Sequence, residues 1–227
     1  MHIWATNQQH LSTSQALPAL SFPGLVWCRF ILDRLTMNDP TGISTLNYIN
    51  GDHYVGQVED DCYNGVGTYK FANGGEYVGE FLNNHYHGKG TFKYATGDVY
   101  TGQFLEGQYN GKGSYTYANG DTYVGMYEDN KQNGRGVFVF ANGDRYEGEF
   151  KDDKFDGQGS LIFKSGNKYV GQFQAGRPDG QGTYSFKNGD VYKGGFKRGD
   201  KHGEGVETYG NGRPKKQGQW ISGQFIG

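Results

Sequence analysis

Aromatic and small residues alternate with polar residues over short runs along most of the chain. The stretch YTYANGDTYVGMY, residues 115–127, contains two such runs with an Asn-Gly pair between them. Alternation with a period of two places every second side chain on one face of a β-strand. Asn-Gly between two alternating runs is the strongest short signal for a tight two-residue hairpin turn, because both residues tolerate positive φ. The pattern therefore predicts a hairpin here.

The same pattern returns with a period of 23 residues. Tyrosine occupies seven positions at this spacing, a glycine follows two residues later, and an apolar, mostly aromatic, residue follows four residues later. The tyrosines and glycines are Tyr54, Gly56, Tyr77, Gly79, Tyr100, Gly102, Tyr123, Gly125, Tyr146, Gly148, Tyr169, Gly171, Tyr192 and Gly194. The residues that follow them are Val58, Phe81, Phe104, Tyr127, Phe150, Phe173 and Phe196. Self-similarity at a fixed period indicates a repeat protein, so we predict one structural unit used seven times.

Each unit contains a second run, which begins at a G-x-G pair such as Gly88/Gly90 and ends at a turn pair such as Asn119-Gly120. We therefore predict an all-β fold, an elongated single-layer ribbon of antiparallel hairpins. At about 4.8 Å between strands, one unit advances the sheet by roughly 10 Å and seven units by roughly 70 Å. The tyrosine, glycine and aromatic positions share one face, where we expect rings to fill the space above the glycines.

These motifs, Y-x-G-x-F followed by H/N-G-x-G and N-G-D-x-Y, resemble the membrane occupation and recognition nexus repeat, called MORN. The units YVGEFLNNHYHGKGTFKYATGDV and YEGEFKDDKFDGQGSLIFKSGNK are similar to it throughout. The resemblance divides the chain into a half repeat at 41–53, seven full repeats at 54–214 and a degenerate cap at 215–227, after a non-repeat extension at 1–36. The resemblance implies an elongated antiparallel sheet. It also implies a role as a scaffold, at a membrane or in the cytoskeleton, including that of the cilium. By itself it implies no reaction.

Composition and charge narrow the classes of function. The chain contains 40 glycines, 18 tyrosines and 15 phenylalanines, and its mean hydropathy is -0.78. This composition offers too little apolar side-chain surface for one large core. The net charge is -2, whereas a nucleic-acid-binding protein normally carries a positive excess, so we predict no nucleic-acid partner. Cys28 and Cys62 form no disulfide framework and no metal-spaced pair, which predicts a reducing, cytoplasmic setting.

Candidate chemistry is sparse. His85 and His87 lie in one loop and His202 in a matching loop five repeats later, on the order of 50 Å away, which is too far for a shared metal ion. Turn-forming Asn and Asp fill the same loop position elsewhere, so a turn role is favoured for the histidines. The sequence GKGS at 111–114 is superficially similar to a phosphate-binding loop, but a strand follows it instead of a helix. We predict no catalytic residue, metal or cofactor, and no enzyme activity.

The C-terminal end of the repeat array is basic. Several clustered cations can attract anionic lipid head groups or an acidic partner surface. The nearby acids Asp200, Glu204 and Glu207 dilute the cluster, and an ordinary solvated end is the alternative. The candidate contacts to an anionic surface are Lys193, Lys197, Arg198, Lys201, Arg213, Lys215 and Lys216.

The last residues carry apolar side chains at or beyond the final strand, among them Trp220, Ile221, Phe225 and Ile226. The unpaired backbone of an edge strand invites another chain to add on. Two interpretations stay open: these residues cap the last repeat, or they form a homodimer interface with a second copy.

Residues 1–36 keep no phase with the repeats. The stretch Leu17–Leu32 is apolar, but prolines and Arg29 interrupt it, so we predict neither a secretory signal nor a membrane span. One alternative is a short helix at about Leu25–Leu35. The other is that translation begins at Met37 and that this leader is not part of the native protein.

From these observations we predict a non-enzymatic scaffold or tether that binds a protein partner through one face of the sheet, in the cytoplasm and in association with the cytoskeleton or a membrane. The different-class alternative is a regulatory module that binds anionic lipid through the basic end, as part of a phosphoinositide-kinase-like protein. The outward positions that we expect to contact a partner are Val78, Glu80, Thr101, Gln103, Val124 and Met126.

Overall fold

A computed structural model describes residues 42–210 and 216–227. The regular secondary structure in these ranges consists of β-strands. The predictions for residues 1–36 and for a start at Met37 lie outside the described residues. The described chain forms two compact units. Within each unit, every strand pairs antiparallel with its neighbour in the chain.

The first unit holds residues 42–120 and 127–130 of the described chain. Glycine faces glycine at the centre of its strand pairs, as Gly79 faces Gly90. The strands of this unit are β1 (Ile43–Asn47), β2 (His53–Glu59), β3 (Cys62–Lys70), β4 (Glu76–Leu82), β5 (His85–Lys93), β6 (Val99–Leu105) and β7 (Gln108–Thr116).

The second unit holds residues 121–126, 131–210 and 216–227. The strand β8 (Thr122–Glu128) is divided between the units, with residues 122–126 in the second. The remaining strands are β9 (Lys131–Val139), β10 (Arg145–Lys151), β11 (Lys154–Ile162), β12 (Lys168–Gln174), β13 (Arg177–Ser185), β14 (Val191–Lys197), β15 (Asp200–Thr208), β16 (Lys216–Ile221) and β17 (Gln224–Phe225). The prediction of an all-β antiparallel fold built from tandem 23-residue hairpins is confirmed, and the length of the ribbon stays a prediction.

The prediction of a two-residue turn at Asn-Gly is wrong. Five residues separate the strands there, as at Tyr94–Asp98, where the Tyr94 N–H donates to the Asp98 carbonyl at 2.9 Å and the Gly97 N–H donates to the Tyr94 carbonyl at 3.0 Å. Gly97 supplies the positive φ, 96°. Tyr94 and Asp98 are thus a bonded pair with three residues between them, which is the three-residue hairpin loop with glycine in the left-handed position.

The two-residue turns lie at the opposite ends of the strands, in the polar loop between the tyrosine strand and the G-x-G strand. Both central residues have positive φ there, for example 49° and 66° at Asn83 and Asn84, which is the geometry of a type I′ turn. The sequence signal was present, because Asn, Asp and Gly tolerate this conformation best. The turns are Asp60-Asp61, Asn83-Asn84, Glu106-Gly107, Asp129-Asn130, Asp152-Asp153, Ala175-Gly176 and Arg198-Gly199.

The rings of the repeat tyrosines lie against glycine pairs and are fully buried. A Cβ atom added to Gly90 would lie 2.5 Å from the Tyr77 Oη atom and 2.6 Å from its Cε2 atom, so only glycine fits. Edge-on contacts complete the cluster, because the Tyr77 ring lies 5.0 Å from Phe81 and 5.1 Å from Phe104 of the next repeat. Each repeat therefore shares its core with the following one, as in other repeat proteins.

A β-bulge follows the central glycine of the tyrosine strands, as between Gly79 and Glu80. The hydroxyl of the repeat tyrosine closes this bulge, because Tyr77 Oη donates to the Glu80 carbonyl at 2.8 Å. Tyr54, Tyr100 and Tyr146 make the same bond three residues ahead. The bulge bends each strand and satisfies a backbone carbonyl that the ladder leaves unpaired.

Candidate interaction surfaces

The side of the sheet opposite the rings, here called the outward face, carries a row of small β-branched and hydroxyl residues. Partners across successive strands of the first unit form this valine–threonine row, which consists of Val55, Thr68, Val78, Thr91, Thr101 and Ser114. The hydroxyls of Thr91 and Thr101 are hydrogen-bonded at 3.0 Å. Val66 and Val78 are 59% and 41% exposed, so apolar surface faces solvent on neighbouring strands.

Two of the outward positions that we expect to contact a partner, Glu80 and Gln103, are exposed and also form hydrogen bonds at the bulge. The Glu80 carboxylate accepts the Lys89 backbone N–H at 2.9 Å, and the Gln103 amide oxygen accepts the Lys112 backbone N–H at 2.8 Å. The equivalent bond recurs at Gln57, Glu149 and Gln172. Met126 stands at this position in the fourth repeat and is exposed, as is Val124 beside it. Thr101, as a member of the valine–threonine row, lies on the outward face as expected.

With one exception, an Asp or Asn side chain at the end of each five-residue loop ties it to the following loop. The Asp98 carboxylate accepts the backbone N–H of Ala118, twenty residues ahead, at 2.7 Å. Burial alone would raise the pKa of Asp52, but hydrogen bonds from the Ala72 N–H, the Tyr69 hydroxyl and Asn50 outweigh it and hold that pKa below its usual value. The residues that make this bond are Asp52, Asp98, Asp121, Asp144, Asn167 and Asp190.

One loop departs from this pattern, because Gly75 stands where the equivalent loops have Asp or Asn. We expect Gly75→Asp to stabilise the protein by about 1–2 kcal/mol relative to Gly75→Ala, since the carboxylate can accept the N–H of Ala95, twenty residues ahead. Chemical denaturation of the three proteins measures the difference. Gly75→Ala adds the same Cβ atom, which would lie 3.3 Å from Phe71 Cδ2. It therefore separates the effect of the Cβ atom on the backbone from that of the new hydrogen bond to Ala95. Equal stability of both variants would contradict the prediction.

The basic C-terminal end is only partly a cationic surface. Lys201 Nζ lies 2.8 Å from Glu207 Oε1, with side-chain exposures of 15% and 12%. It also lies 4.7 Å from the Tyr192 ring centre and 4.5 Å from that of Trp220. Lys201 thus takes the place that in other repeats holds a ring stacked on the repeat tyrosine. Such contacts stabilise a desolvated cation, so this lysine belongs to the packing of the last repeat.

The other members of the basic cluster are distributed differently. Lys193, Lys197 and Arg198 are exposed on β14 and the turn after it. Lys216 Nζ lies 5.7 Å from the ring of Phe225. Arg213 and Lys215 lie outside the described residues. The structure therefore does not place the seven predicted cations on one surface.

The C-terminal strands β16 and β17 lie next to the last repeat. Trp220 is buried and meets the Tyr192 ring edge-on at 5.2 Å, where other repeats present the aromatic residue of the following unit. Phe225 lies 5.2 Å from Trp220. Ile221 and Ile226 are exposed. Trp220 thus covers Tyr192 within the chain, while apolar surface remains beside it.

Burial changes the acidity of the ring hydroxyls throughout the repeats. Desolvation raises the pKa of Tyr192 to about 12 and that of Tyr94 also to about 12. It raises the pKa of Tyr77, Tyr86 and Tyr146 further. The hydroxyls are consequently neutral hydrogen-bonding groups at physiological pH, not general bases.

The positions with candidate chemistry take ordinary structural places. The sequence GKGS at 111–114 lies inside strand β7, and the backbone carbonyl of His87 accepts the Tyr77 hydroxyl at 3.4 Å. Within residues 42–210 and 216–227, no three His, Cys, Asp or Glu side chains are grouped as metal ligands. In the same part of the chain, no helix has the length and apolarity to cross a membrane.

A model of the MORN repeat family matches the chain seven times in succession. The matched segments are 54–76, 77–99, 100–122, 123–145, 146–168, 169–191 and 192–212. They follow one another without a gap and reproduce the 23-residue period. Comparison with curated proteins found no match.

Solved structures with similar strand arrangements have low sequence identity to this chain. One is the TCP domain of SAS-4 (dCPAP) from Drosophila melanogaster in complex with a proline-rich motif of Ana2 (dSTIL); it is 17% identical, the match covers 77% of this chain and 99% of that chain, and the TM-score is 0.45. Another is a mutant TCP10 domain of CPAP from Danio rerio, which is 10% identical over 79% of this chain and 90% of that chain, with a TM-score of 0.42.

Proposed function

The chain belongs to the MORN repeat family, and on that premise we propose that it is a non-enzymatic scaffold or tether that holds a protein partner against its sheet. The observation that carries the proposal is the exposed apolar surface on the outward face. Val66 is 59% exposed and Val78 is 41% exposed on adjacent strands of a regular ladder. Regular strands hold these side chains at fixed spacing, which favours rigid docking with little loss of conformational entropy.

Two further features support this proposal. The buried aromatic side chains, such as Tyr77 and Phe81, pack between repeats on the other side of the sheet, so the fold itself does not need the outward valines. The valine–threonine row combines apolar methyl groups with hydroxyls, a mixture that suits a non-obligate protein interface better than a purely hydrophobic one. The cytoskeletal or membrane-associated location that we expect belongs to the proposal as well, as the place where such a tether would act.

The experiment is affinity purification from the source cell with the full chain as bait. We expect a partner that the wild-type protein retains and that Val66→Lys loses, since a lysine at this position introduces a charge that must be desolvated on docking. Ile49→Lys is the matched control: it makes the same change at an 86% exposed apolar residue in the loop after β1. A partner that binds the wild type and Val66→Lys equally would overturn the assignment of this face.

The lipid-binding alternative rests on the exposed cations Lys193, Lys197 and Arg198. Pelleting with anionic vesicles at low and high salt is the second arm of the same experiment. Salt-sensitive binding that is lost in Lys193→Glu with Lys197→Glu would favour the lipid-binding module over the protein scaffold. Absence of binding at low salt would remove this alternative.

A further inference from the structure

A second surface lies on the opposite side of the sheet, where one aromatic ring opens each five-residue loop. In the first unit these rings are Tyr48, Phe71, Tyr94 and Tyr117, here called the loop-aromatic row. Each packs on an inner ring: Phe71 lies 4.8 Å from Tyr69 and 5.7 Å from Phe92 of the next repeat. The same alternation continues from Phe92 to Tyr94 at 4.5 Å and from Tyr94 to Tyr115 at 6.3 Å. The rings therefore form a continuous aromatic strip.

The loop-aromatic row is partly exposed and uncharged. Tyr48, Phe71 and Tyr117 are half-buried, whereas Tyr94 is buried like the inner rings Tyr69 and Phe92. In the loops at 48–52, 71–75 and 94–98, the charged residues are Asp52 and Asp98, and both carboxylates are buried and bonded to backbone N–H groups. A partner of this strip must itself be apolar and largely uncharged.

The spacing of the row indicates which conformation such a partner has. Two strands per repeat advance the row by about 9.6 Å. One turn of a polyproline II helix, three residues, advances by about 9.3 Å. We propose that the loop-aromatic row binds a proline-rich segment of another protein in the polyproline II conformation, with prolines at the three-residue spacing against the half-buried rings Tyr48, Phe71 and Tyr117. Over three repeat intervals the two spacings diverge by only about 1 Å.

Other regular conformations fit the row less well. Two turns of an α-helix advance by about 10.8 Å, which is more than 3 Å out of register after three intervals. An extended strand presents the same face every two residues, about 6.7 Å, which does not match one repeat. Aromatic rings are also the usual surface for proline-rich segments, because such segments are already ordered and lose little entropy on binding.

This inference adds a surface to the proposed function and does not depend on the outward face. The two can fail separately, because they rest on opposite sides of the sheet. Val66→Lys tests the outward face and Phe71→Leu tests the loop-aromatic row. If the captured partner is lost in Val66→Lys while the proline-rich peptide does not bind, the proposed function stands and this inference is wrong. If the peptide binds but Val66→Lys retains the captured partner, this inference stands and the assignment of the outward face is wrong.

The test is a binding titration of the full chain with labelled, uncharged peptides of about twelve residues, four turns of polyproline II. One peptide has proline at every third position, the second has the same residues with the prolines moved out of the three-residue spacing, and the third is an amphipathic helix. We expect saturable binding of the first, and binding at least about tenfold weaker for the other two. Lack of saturation with the first peptide, or equal binding of the first two, would overturn the proposal.

Variants locate the site. Phe71→Leu should weaken binding of the first peptide by about tenfold, because it removes a central ring from the row. Phe71→Tyr should restore it to within about twofold, since tyrosine stands at this position in neighbouring repeats. Val66→Lys, on the outward face, should leave it unchanged. If Phe71→Leu retains the far-ultraviolet circular dichroism of the wild type and binds the first peptide equally well, the row is not the binding site. If Phe71→Leu does not fold, the comparison of the three peptides on the wild-type protein decides whether the proposal holds.

Discussion

Gly90→Ala is expected to lower the free energy of unfolding by about 3 kcal/mol. The added Cβ would lie 2.5 Å from the hydroxyl oxygen of Tyr77 and 2.6 Å from its Cε2 atom. Tyr77 cannot move away, because Phe81, Tyr86 and Phe104 surround its ring and it has no exposed surface. Overpacking of a close-packed core has this magnitude. Urea denaturation followed by circular dichroism measures the loss.

Two controls separate this clash from backbone effects. Gly74→Ala changes a loop glycine with φ of 95° that has no neighbouring atom within 4 Å, so backbone strain alone should destabilise it by about 1 kcal/mol. In a Tyr77→Leu background, the alanine at position 90 should have little further effect, since the ring that it meets is gone. An undiminished loss in that background would show that the ring is not the cause.

Alkaline unfolding is expected to be the largest effect of solution conditions on this protein. Burial raises the pKa of Tyr94 and Tyr192 to about 12 and that of Tyr54, Tyr123 and Tyr169 further, while unfolded tyrosine titrates at about 10. Below pH 10 both states hold the proton and the stability is fully present. Above pH 10 the unfolded state loses protons that the folded state keeps, so stability falls as pH rises toward the folded pKa values.

The size of this effect follows from the number of rings. Each such tyrosine removes about 1.4 kcal/mol per pH unit, and about ten of them remove ~14 kcal/mol per pH unit, which is comparable with the whole stability of a domain. We expect tyrosinate absorbance and the loss of far-ultraviolet circular dichroism to coincide in one steep transition within about one unit above pH 10. Tyrosinate absorbance that rises while the circular dichroism stays unchanged would contradict this.

Tyr86→Phe provides a matched variant for the alkaline transition. Burial raises the pKa of Tyr86, and among the described residues its hydroxyl has no hydrogen-bond partner. Phe155 occupies the equivalent position and stacks on Tyr146 at 3.7 Å, so the phenyl ring fits. The variant should be more stable at neutral pH by about 1 kcal/mol, because it no longer buries an unpaired hydroxyl. It should also unfold at a slightly higher pH.

The 23-residue period and the strand alternation could be read from the sequence because every repeat imposes the same local requirement. A residue such as Gly90 must be glycine wherever a ring lies above it, and Tyr77 must recur wherever that space recurs. Repetition turns a weak local signal into a strong one, since seven copies in phase share one explanation. The order of the strands follows as well, because consecutive hairpins pair in chain order.

The prediction of the Asn-Gly turn is wrong, and the hydrogen bonds of two outward side chains are not predicted. Asn-Gly predicts a two-residue turn, but in the structure the glycine at this position closes a three-residue loop, as Gly97 does between the bonded residues Tyr94 and Asp98. Glu80 and Gln103 alternate outward like surface residues, yet each accepts a backbone N–H at the bulge. Strand alternation does not predict the bonds of Glu80 and Gln103, because each partner lies on the neighbouring strand.

The sequence by itself determined the repeat, the strand pairs and the face that carries the rings, since these depend on side-chain volume and period within one unit. Only the tertiary structure decided where the polar groups go. Lys201 reads as one of seven surface cations, but it lies between Tyr192, Trp220 and Glu207, which are brought together from three strands. The difference is physical: a strand pattern fixes the face of a side chain, whereas a hydrogen bond or cation–π contact depends on which residue of another strand lies opposite.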